Sequence, residues 1–314
     1  YRDSVDVALR YGFPDDSNLY CFKICNVPRL ICATPEYLIE HGWRDPEVFS
    51  WNKQPAHASF FGFDKDPGQF TSIPFDDSHF MLLNGTWKFN WSTCPAKRPL
   101  DFMSPDFDVS AWDDIPVPGN WQMHGYEQPN YVNHPTDFAI GPKAGVVPVK
   151  YNPVGSYKRT FDLPESWQQK QVFLHLGAVK SAVYVWVNGQ LVGYSQDSKT
   201  PAEFDISPFL HVGENDISLQ VYRWSDATYL ENQDMWRLCG MERDVYLFAT
   251  PKVRIRDFHA KATLDAGYKH GVWQFSLACQ NHVSKAQSGY RVELELASPS
   301  GELIHQHTLA IDEL

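Results

Sequence analysis

No stretch of this sequence approaches the roughly 20 consecutive apolar residues that a membrane-spanning helix needs. No basic segment followed by an apolar run opens it, so a secretory signal is not visible. These absences lead to the expectation of a cytoplasmic protein with no membrane partner. Positive charge is also scarce: 27 Lys and Arg stand against 38 Asp and Glu, a net charge of −11. Nucleic acids and anionic membranes are bound through clustered basic surface, so no nucleic-acid partner is expected. The common catalytic signatures are missing, with no G-x-S-x-G, H-E-x-x-H, G-x-x-x-x-G-K or G-x-G-x-x-G. Of the six cysteines, Cys21, Cys25 and Cys32 follow the spacing C-x3-C-x6-C. That spacing fits neither a zinc knuckle nor a redox pair, and unpaired thiols are expected.

What is present is aromatic and alternating. Aromatic residues make up 15% of the 314 positions, with 11 Trp. Flat rings suit a pleated surface, and they also suit a carbohydrate-facing one; composition does not choose between the two. From Phe80 onward the apolar period is two. Leu83–Trp91, Ser156–Leu163, Val172–Leu176, Glu203–Ile206, Asp216–Trp224 and Asp244–Phe248 read as strands. The sharpest local signal is Ala182–Val187, then Asn188-Gly189, then Gln190–Tyr194. Asn-Gly tolerates the positive φ that a two-residue hairpin turn requires. Many short strands with turn signals and almost no helical period predict an all-β sandwich or jelly roll.

Residues 1–42 carry a Cys-rich apolar patch and a possible short helix at Pro35–His41, and are left as an unassigned extension. Residues 43–78 are rich in Pro, Asp and Phe and have no period. They read as an extended arm lying on other structure, anchored by Phe60, Phe61 and Phe63. Residues 79–250 form the sandwich. After Pro251 a second alternating series opens at Lys252–Phe258 and continues through Val272–Cys279, Arg291–Leu296 and Gly301–Ile304. It reads as the first part of an immunoglobulin-like sandwich. Such a domain needs roughly 100 residues, so residues 251–314 are expected to be an incomplete one.

Three segments carry chemistry. The run Arg223–Arg237 is acidic and aromatic. Paired carboxylates there could act on a glycosidic bond; the plainer reading is a loop held by ion pairs among Asp226, Glu231, Asp234, Arg237 and Arg243. Gly193–Ser198 places Asp197 in a polar loop at a strand end, where a carboxylate either binds a sugar hydroxyl or a hard cation or caps the turn. Val117–Tyr126, followed by Asn130–Asn133, is rich in aromatic and amide groups, as sugar sites and ordinary buried loops both are. His305 and His307 lie two apart on a predicted strand, a spacing that is more often coincidence than a metal site.

Taken together, Pro118–Tyr126 (PGNWQMHGY), Gly193–Ser198 (GYSQDS) and Arg223–Arg237 with its QDMWR ending closely resemble the amino-terminal part of the large bacterial β-galactosidases. These belong to glycoside hydrolase family 2, which also holds β-glucuronidases and β-mannosidases. The resemblance runs from about Arg44 onward, and residues 1–42 have no matching counterpart. It implies a jelly-roll, galactose-binding-like domain, an immunoglobulin-like domain, and then a (β/α)8 barrel bearing the catalytic carboxylates after an R-x-x-H-Y-P segment. No R-x-x-H-Y-P occurs in this sequence, so no catalytic residue is assigned, and Glu231 and Asp234 are not the catalytic pair.

The resemblance carries two positions over. Asn133 matches an Asn that reaches the galactose hydroxyls. Asp197 matches an Asp that contacts galactose and ligates Na+, while the family's Mg2+ ligands lie on the barrel. The resemblance therefore implies an amino-terminal fragment of a retaining β-galactosidase acting on terminal β-D-galactosides such as lactose. Alone it would be inactive; its partners would be the substrate, the barrel-bearing remainder of the polypeptide and, at full length, further copies of itself. A stand-alone carbohydrate-binding module and a complementing structural fragment are the alternatives.

Overall fold

The computed structural model describes residues 34–65, 75, 77–133, 136–138, 143, 145–231 and 233–312. Cys21, Cys25 and Cys32, with most of the unassigned extension, lie outside the described residues.

The strand signals become two packed antiparallel sheets. The larger has seven strands in the spatial order Ser50–Trp51, Gln190–Gln196, Ala182–Val187, Gly213–Tyr222, Val154–Leu163, Gly85–Ser92 and Asp113–Val117. The smaller has four, in the order Ala202–Asp205, Gln171–Leu176, Val245–Thr250 and Phe80–Leu82. Neighbouring strands in both pair antiparallel. The result is the β-sandwich that the alternation predicts.

Its core lies between the sheets. Trp87, Tyr157, Val185 and Leu219 from the large sheet meet Leu174, Leu176, Phe204 and Leu247 from the small one, all nearly sealed from solvent. Each such aliphatic side chain contributes about 1.5–3 kcal/mol by leaving water. The Asn188-Gly189 turn forms as the sequence predicts, with Val187 opposite Gln190 and φ of 49° and 77° at the two turn residues. The Asn188 amide also donates to the Phe209 carbonyl at 2.8 Å, which ties the hairpin tip to the body.

The outer face of the large sheet is buried too. Alternate residues Tyr184, Trp186, Tyr194 and Tyr222 form a second cluster with Leu38, Trp43 and Val48. The short helix Pro35–His41 is present, and it and the turn after it cover that face. Tyr184 donates its hydroxyl to the Leu38 carbonyl at 2.5 Å, and the Trp43 ring stacks on Tyr222 with centroids 5.2 Å apart. The arm continues along the sandwich. Phe60 meets Phe258 edge-on, and Phe61 meets Phe80 in the same way.

Beyond Pro251 the four long strands form two separate hairpins. Val253–Leu264 pairs with Gly271–Asn281, and Tyr290–Ala297 pairs with Leu303–Ile311. Among the described residues, these two ladders do not join into one sheet.

Candidate functional site

Asp197 sits just past the strand Gln190–Gln196 at φ 87°, a left-handed conformation that is uncommon for a residue with a Cβ. Its side chain is exposed and accepts a hydrogen bond from the Thr200 hydroxyl. Both flanking residues are fixed. The Gln196 amide donates to Asp226 at 2.7 Å, and the Ser198 backbone N–H donates to Glu231 at 2.7 Å, with the Ser198 hydroxyl bonded to the same carboxylate. A cleft of about 610 Å³ opens beside Asp197, with Lys53, His57, Thr200, Arg243 and Tyr246 among its walls. Burial pushes the Lys53 ammonium below its ordinary pKa, and the Asp197 charge acts against that. A carboxylate at the edge of a roomy cleft whose walls are largely apolar, with Lys53, His57 and Arg243 among them, can receive a cation or a polyol.

Asn133 is also exposed, but it does not line that cleft. It lies on a segment anchored by a buried charge cluster. The Arg223 guanidinium donates to Glu127 through one nitrogen and to Asp137 through the other, the second at 3.1 Å. All three side chains are 6–7% exposed. Burial alone would lower the Arg223 pKa; the negative groups around it, Glu127 and Asp137 among them, raise it instead. Tyr151 and Gln122 donate to Glu127 at 2.6 and 3.1 Å, and the Trp224 indole N–H donates to Asp137 at 2.8 Å. Burial and the Glu127 hydrogen bond push the Tyr151 phenol up to about 12. Nearer Asn133, the Tyr131 hydroxyl donates to Asp234, which holds the Tyr131 pKa above its usual value. The Tyr131 ring leans on Trp236 with centroids 6.1 Å apart, and the Arg237 backbone N–H donates to the Asn130 carbonyl at 2.7 Å.

The expectation that Asp226, Glu231 and Asp234 pair with Arg237 and Arg243 is corrected by these contacts. The three carboxylates reach outward, to Gln196, Ser198 and Tyr131. Arg243 donates to the Lys199 carbonyl instead. The physical reason is direction: Asp226 opens the short 3-10 turn Asp226–Tyr229 and Glu231 and Asp234 follow it, so the three carboxylates meet different neighbouring loops.

The Pro118–Tyr126 segment enters the core through Trp121 and Gln122, while Pro118, Met123, His124 and Gly125 are exposed. Trp121 is fully buried, and a Cβ added to Gly155 would come within 2.6 Å of its ring. The Gln122 side chain accepts from the Cys239 N–H at 3.1 Å and donates to the Cys239 sulfur at 3.1 Å. Cys239, Cys94 and Cys279 are free thiols, and burial pushes Cys239 up to about 12, which makes it unreactive at neutral pH. His305 and His307 stack with centroids 6.5 Å apart, and no group of three or more metal-ligating side chains occurs among the described residues.

Sequence reasoning missed two groups. Glu127 and Asp137 sit in a segment with no period, and nothing local marks them as partners of an arginine 96 and 86 residues away. It also missed Glu203, buried between His57 of the arm and His175 of the small sheet, both at 2.8 Å. Burial alone would raise the Glu203 carboxyl; the two imidazole hydrogen bonds outweigh it and bring the pKa down to about 2. The bond to Glu203 in turn raises His57 above its usual value.

Comparison with known proteins fits this architecture. The β-galactosidase of Priestia megaterium is 39% identical over 267 residues, covering 84% of this chain and 26% of that protein. The β-galactosidase of Vibrio cholerae is 36% identical over 269 residues, covering 86% of this chain and 25% of that protein. This chain thus spans about a quarter of the length of these curated relatives. The crystal structure of a Bacteroides uniformis β-glucuronidase superposes with a TM-score of 0.58 at 22% identity, over 75% of this chain and 26% of that one. At that identity the likeness speaks for the fold alone. Residues 80–251 match the family model described as glycosyl hydrolases family 2, sugar binding domain. With that match covering more than half of its length, this chain belongs to glycosyl hydrolase family 2.

Proposed function

We propose that this chain is the sugar-binding part of a family 2 β-galactosidase that hydrolyses terminal β-D-galactosides, lactose among them, with retention. The observation that carries this reading is the 39% identity to a protein named β-galactosidase over 84% of the chain. Asn133 and Asp197 are exposed, and both lie beside anchored backbone. An amide and a carboxylate suit the donors and acceptors of a galactose ring. Asp197 would also offer one carboxylate to Na+. Its hydrogen-bond partner, the Thr200 hydroxyl, is neutral, which leaves acceptor capacity for a hard cation. Bound there, the cation would add a positive charge that draws in sugar oxygens; this chain's part would be to hold and orient the carboxylate. Acid–base and nucleophilic steps need a pair of carboxylates flanking the scissile bond, and these are assigned to the remaining three-quarters of the enzyme.

The test is complementation. The purified 314-residue chain should not turn over a chromogenic β-galactoside. Mixed with Priestia megaterium β-galactosidase lacking its matching quarter, it should restore turnover, and Asn133→Ala or Asp197→Ala should raise KM. Hydrolysis by the chain alone, or a mixture indifferent to both substitutions, would overturn the reading. A stand-alone binding module would instead show millimolar galactoside affinity by calorimetry; the closed sandwich of residues 80–251 gives that second reading its support.

A further inference from the structure

Asn133 and Asp197 lie on different loops, and the cleft beside Asp197 does not reach Asn133. What joins the two loops is the run from Arg223 to Arg237. Its side chains divide by destination. Arg223, Trp224 and Asp234, with the Arg237 backbone N–H, bind Glu127, Asn130, Tyr131 and Asp137 around the Asn133 segment. Asp226 and Glu231 bind Gln196 and Ser198, the two residues on either side of Asp197. The destinations interleave along the chain: the first two go to the Asn133 side, the next two to the Asp197 side, the last two back again. The second group is carried on the turn Asp226–Tyr229 and the residues after it, the turn being fixed by the Ser225 N–H donating to the Thr228 hydroxyl at 3.1 Å.

We propose that residues 223–237 are a positioning element that locks the Asn133 segment and the Asp197 turn into one fixed relation. The inference rests on the sugar-contact reading of those two residues and deepens it. Two polar groups on separate exposed loops recognise one pyranose only if their spacing is held to roughly 0.5 Å. Neither loop supplies that rigidity alone. The segment before Asn133 has no strand partner among the described residues, and the Asp197 backbone is held at an unfavourable φ. A shared anchor fixes their relation, because a shift of the run displaces both. The interleaving matters here. No single cut of the run separates the contacts to one loop from those to the other.

The experiment uses hydrogen–deuterium exchange on the whole 314-residue chain, with Tyr131→Phe, Glu231→Ala, Glu231→Gln and the double variant Tyr131→Phe/Glu231→Ala. Both positions are at the surface or half-buried, so the fold should survive, and unchanged exchange in Ala182–Val187 verifies it. Glu231→Ala should speed exchange about tenfold at residues 197–200 and a few-fold at 128–133. Tyr131→Phe should do the reverse, and the double variant should depart from the sum of the singles. Glu231→Gln keeps a carbonyl acceptor for the Ser198 N–H and should restore most of the protection. If each substitution loosens only its own loop and the double variant is additive, the coupling is refuted.

In the complemented enzyme, Glu231→Ala should raise KM about fivefold with kcat within about twofold, the mark of lost ground-state positioning. A fall in kcat with KM unchanged would overturn the proposal. The underlying reading fails separately: if Asn133→Ala and Asp197→Ala leave KM unchanged while exchange still shows the coupling, the element stands and the sugar contacts do not.

Discussion

The strands before and after Pro251 share one sequence pattern and have different fates. In the sandwich, alternation is buried on both faces: Val183, Val185 and Val187 enter the inner core, while Tyr184 and Trp186 enter the outer one. In the hairpins the same alternation stays largely open. Leu303, Ile304 and Leu309 are 52%, 63% and 40% exposed. The first hairpin touches the arm through Phe258 on Phe60 and the sandwich through the Arg254 guanidinium, 3.9 Å from the centre of the Phe173 ring. A period of two thus states which side chains share a face. Whether that face is dry depends on a second layer, and stability resides where two layers meet.

This contrast can be broken or sharpened by measurement. The largest effect is expected at the buried pair Lys158–Asp216, where the ammonium also donates to the Phe102 and Ser104 carbonyls. Lys158→Ala leaves a carboxylate buried without its cation and should cost about 3–5 kcal/mol in urea unfolding. If the cost is below about 1 kcal/mol, the sandwich is not the stable unit. Leu219→Ala, in the inner core, should cost about 2–5 kcal/mol by the same measurement.

A pH dependence should arise from the His57–Glu203–His175 cluster. The Glu203 pKa is depressed to about 2, so its stabilisation is complete above the ordinary carboxylate range and is lost as pH falls from about 5 to 2. The His57 pKa is raised, so its stabilisation is complete below about 6.5 and is lost as pH rises through its folded value. Protection of residues 54–60 of the arm, taken as exchange relative to the intrinsic rate at each pH, should therefore be greatest between about pH 5 and 6.5, with an acid loss on the order of 2 kcal/mol. Glu203→Gln should flatten the profile; a variant that keeps the wild-type profile would show that the arm is held by its aromatic contacts instead.

Gly189→Ala should cost about 1 kcal/mol, because φ is 77° and the added Cβ would lie 3.3 Å from Pro105. The smallest effect is expected in the open hairpin. Leu309→Ala, at an exposed position, should change stability by less than about 0.5 kcal/mol. A loss above about 1.5 kcal/mol there would erase the distinction between the two regions.

Much of the fold was legible because its signals are local. Alternation marked the strands, Asn188-Gly189 marked a turn that only a positive φ permits, and Pro35–His41 read correctly as a short helix. The candidate site was legible only in part. Asn133 was singled out by resemblance to a family, whereas Asp197 stood out as a carboxylate in a polar loop at a strand end, with the residues leaving a ligand and a turn cap both open. The carboxylates of residues 223–237 were visible, but their partners were not, because a charged group in a loop carries no mark of direction.

What the sequence determined by itself is the β-sandwich and its apolar faces, since a two-residue period and turn chemistry act within a few residues along the chain. What only the tertiary structure decided is where the charges go. Arg223 meets Glu127 and Asp137, Glu231 meets Ser198, and Glu203 meets His57 and His175 across separations of 28 to 146 residues. Such pairs form because a buried or half-buried charge must find an opposite charge or a donor, and which one it finds depends on which loops the packed sheets bring together.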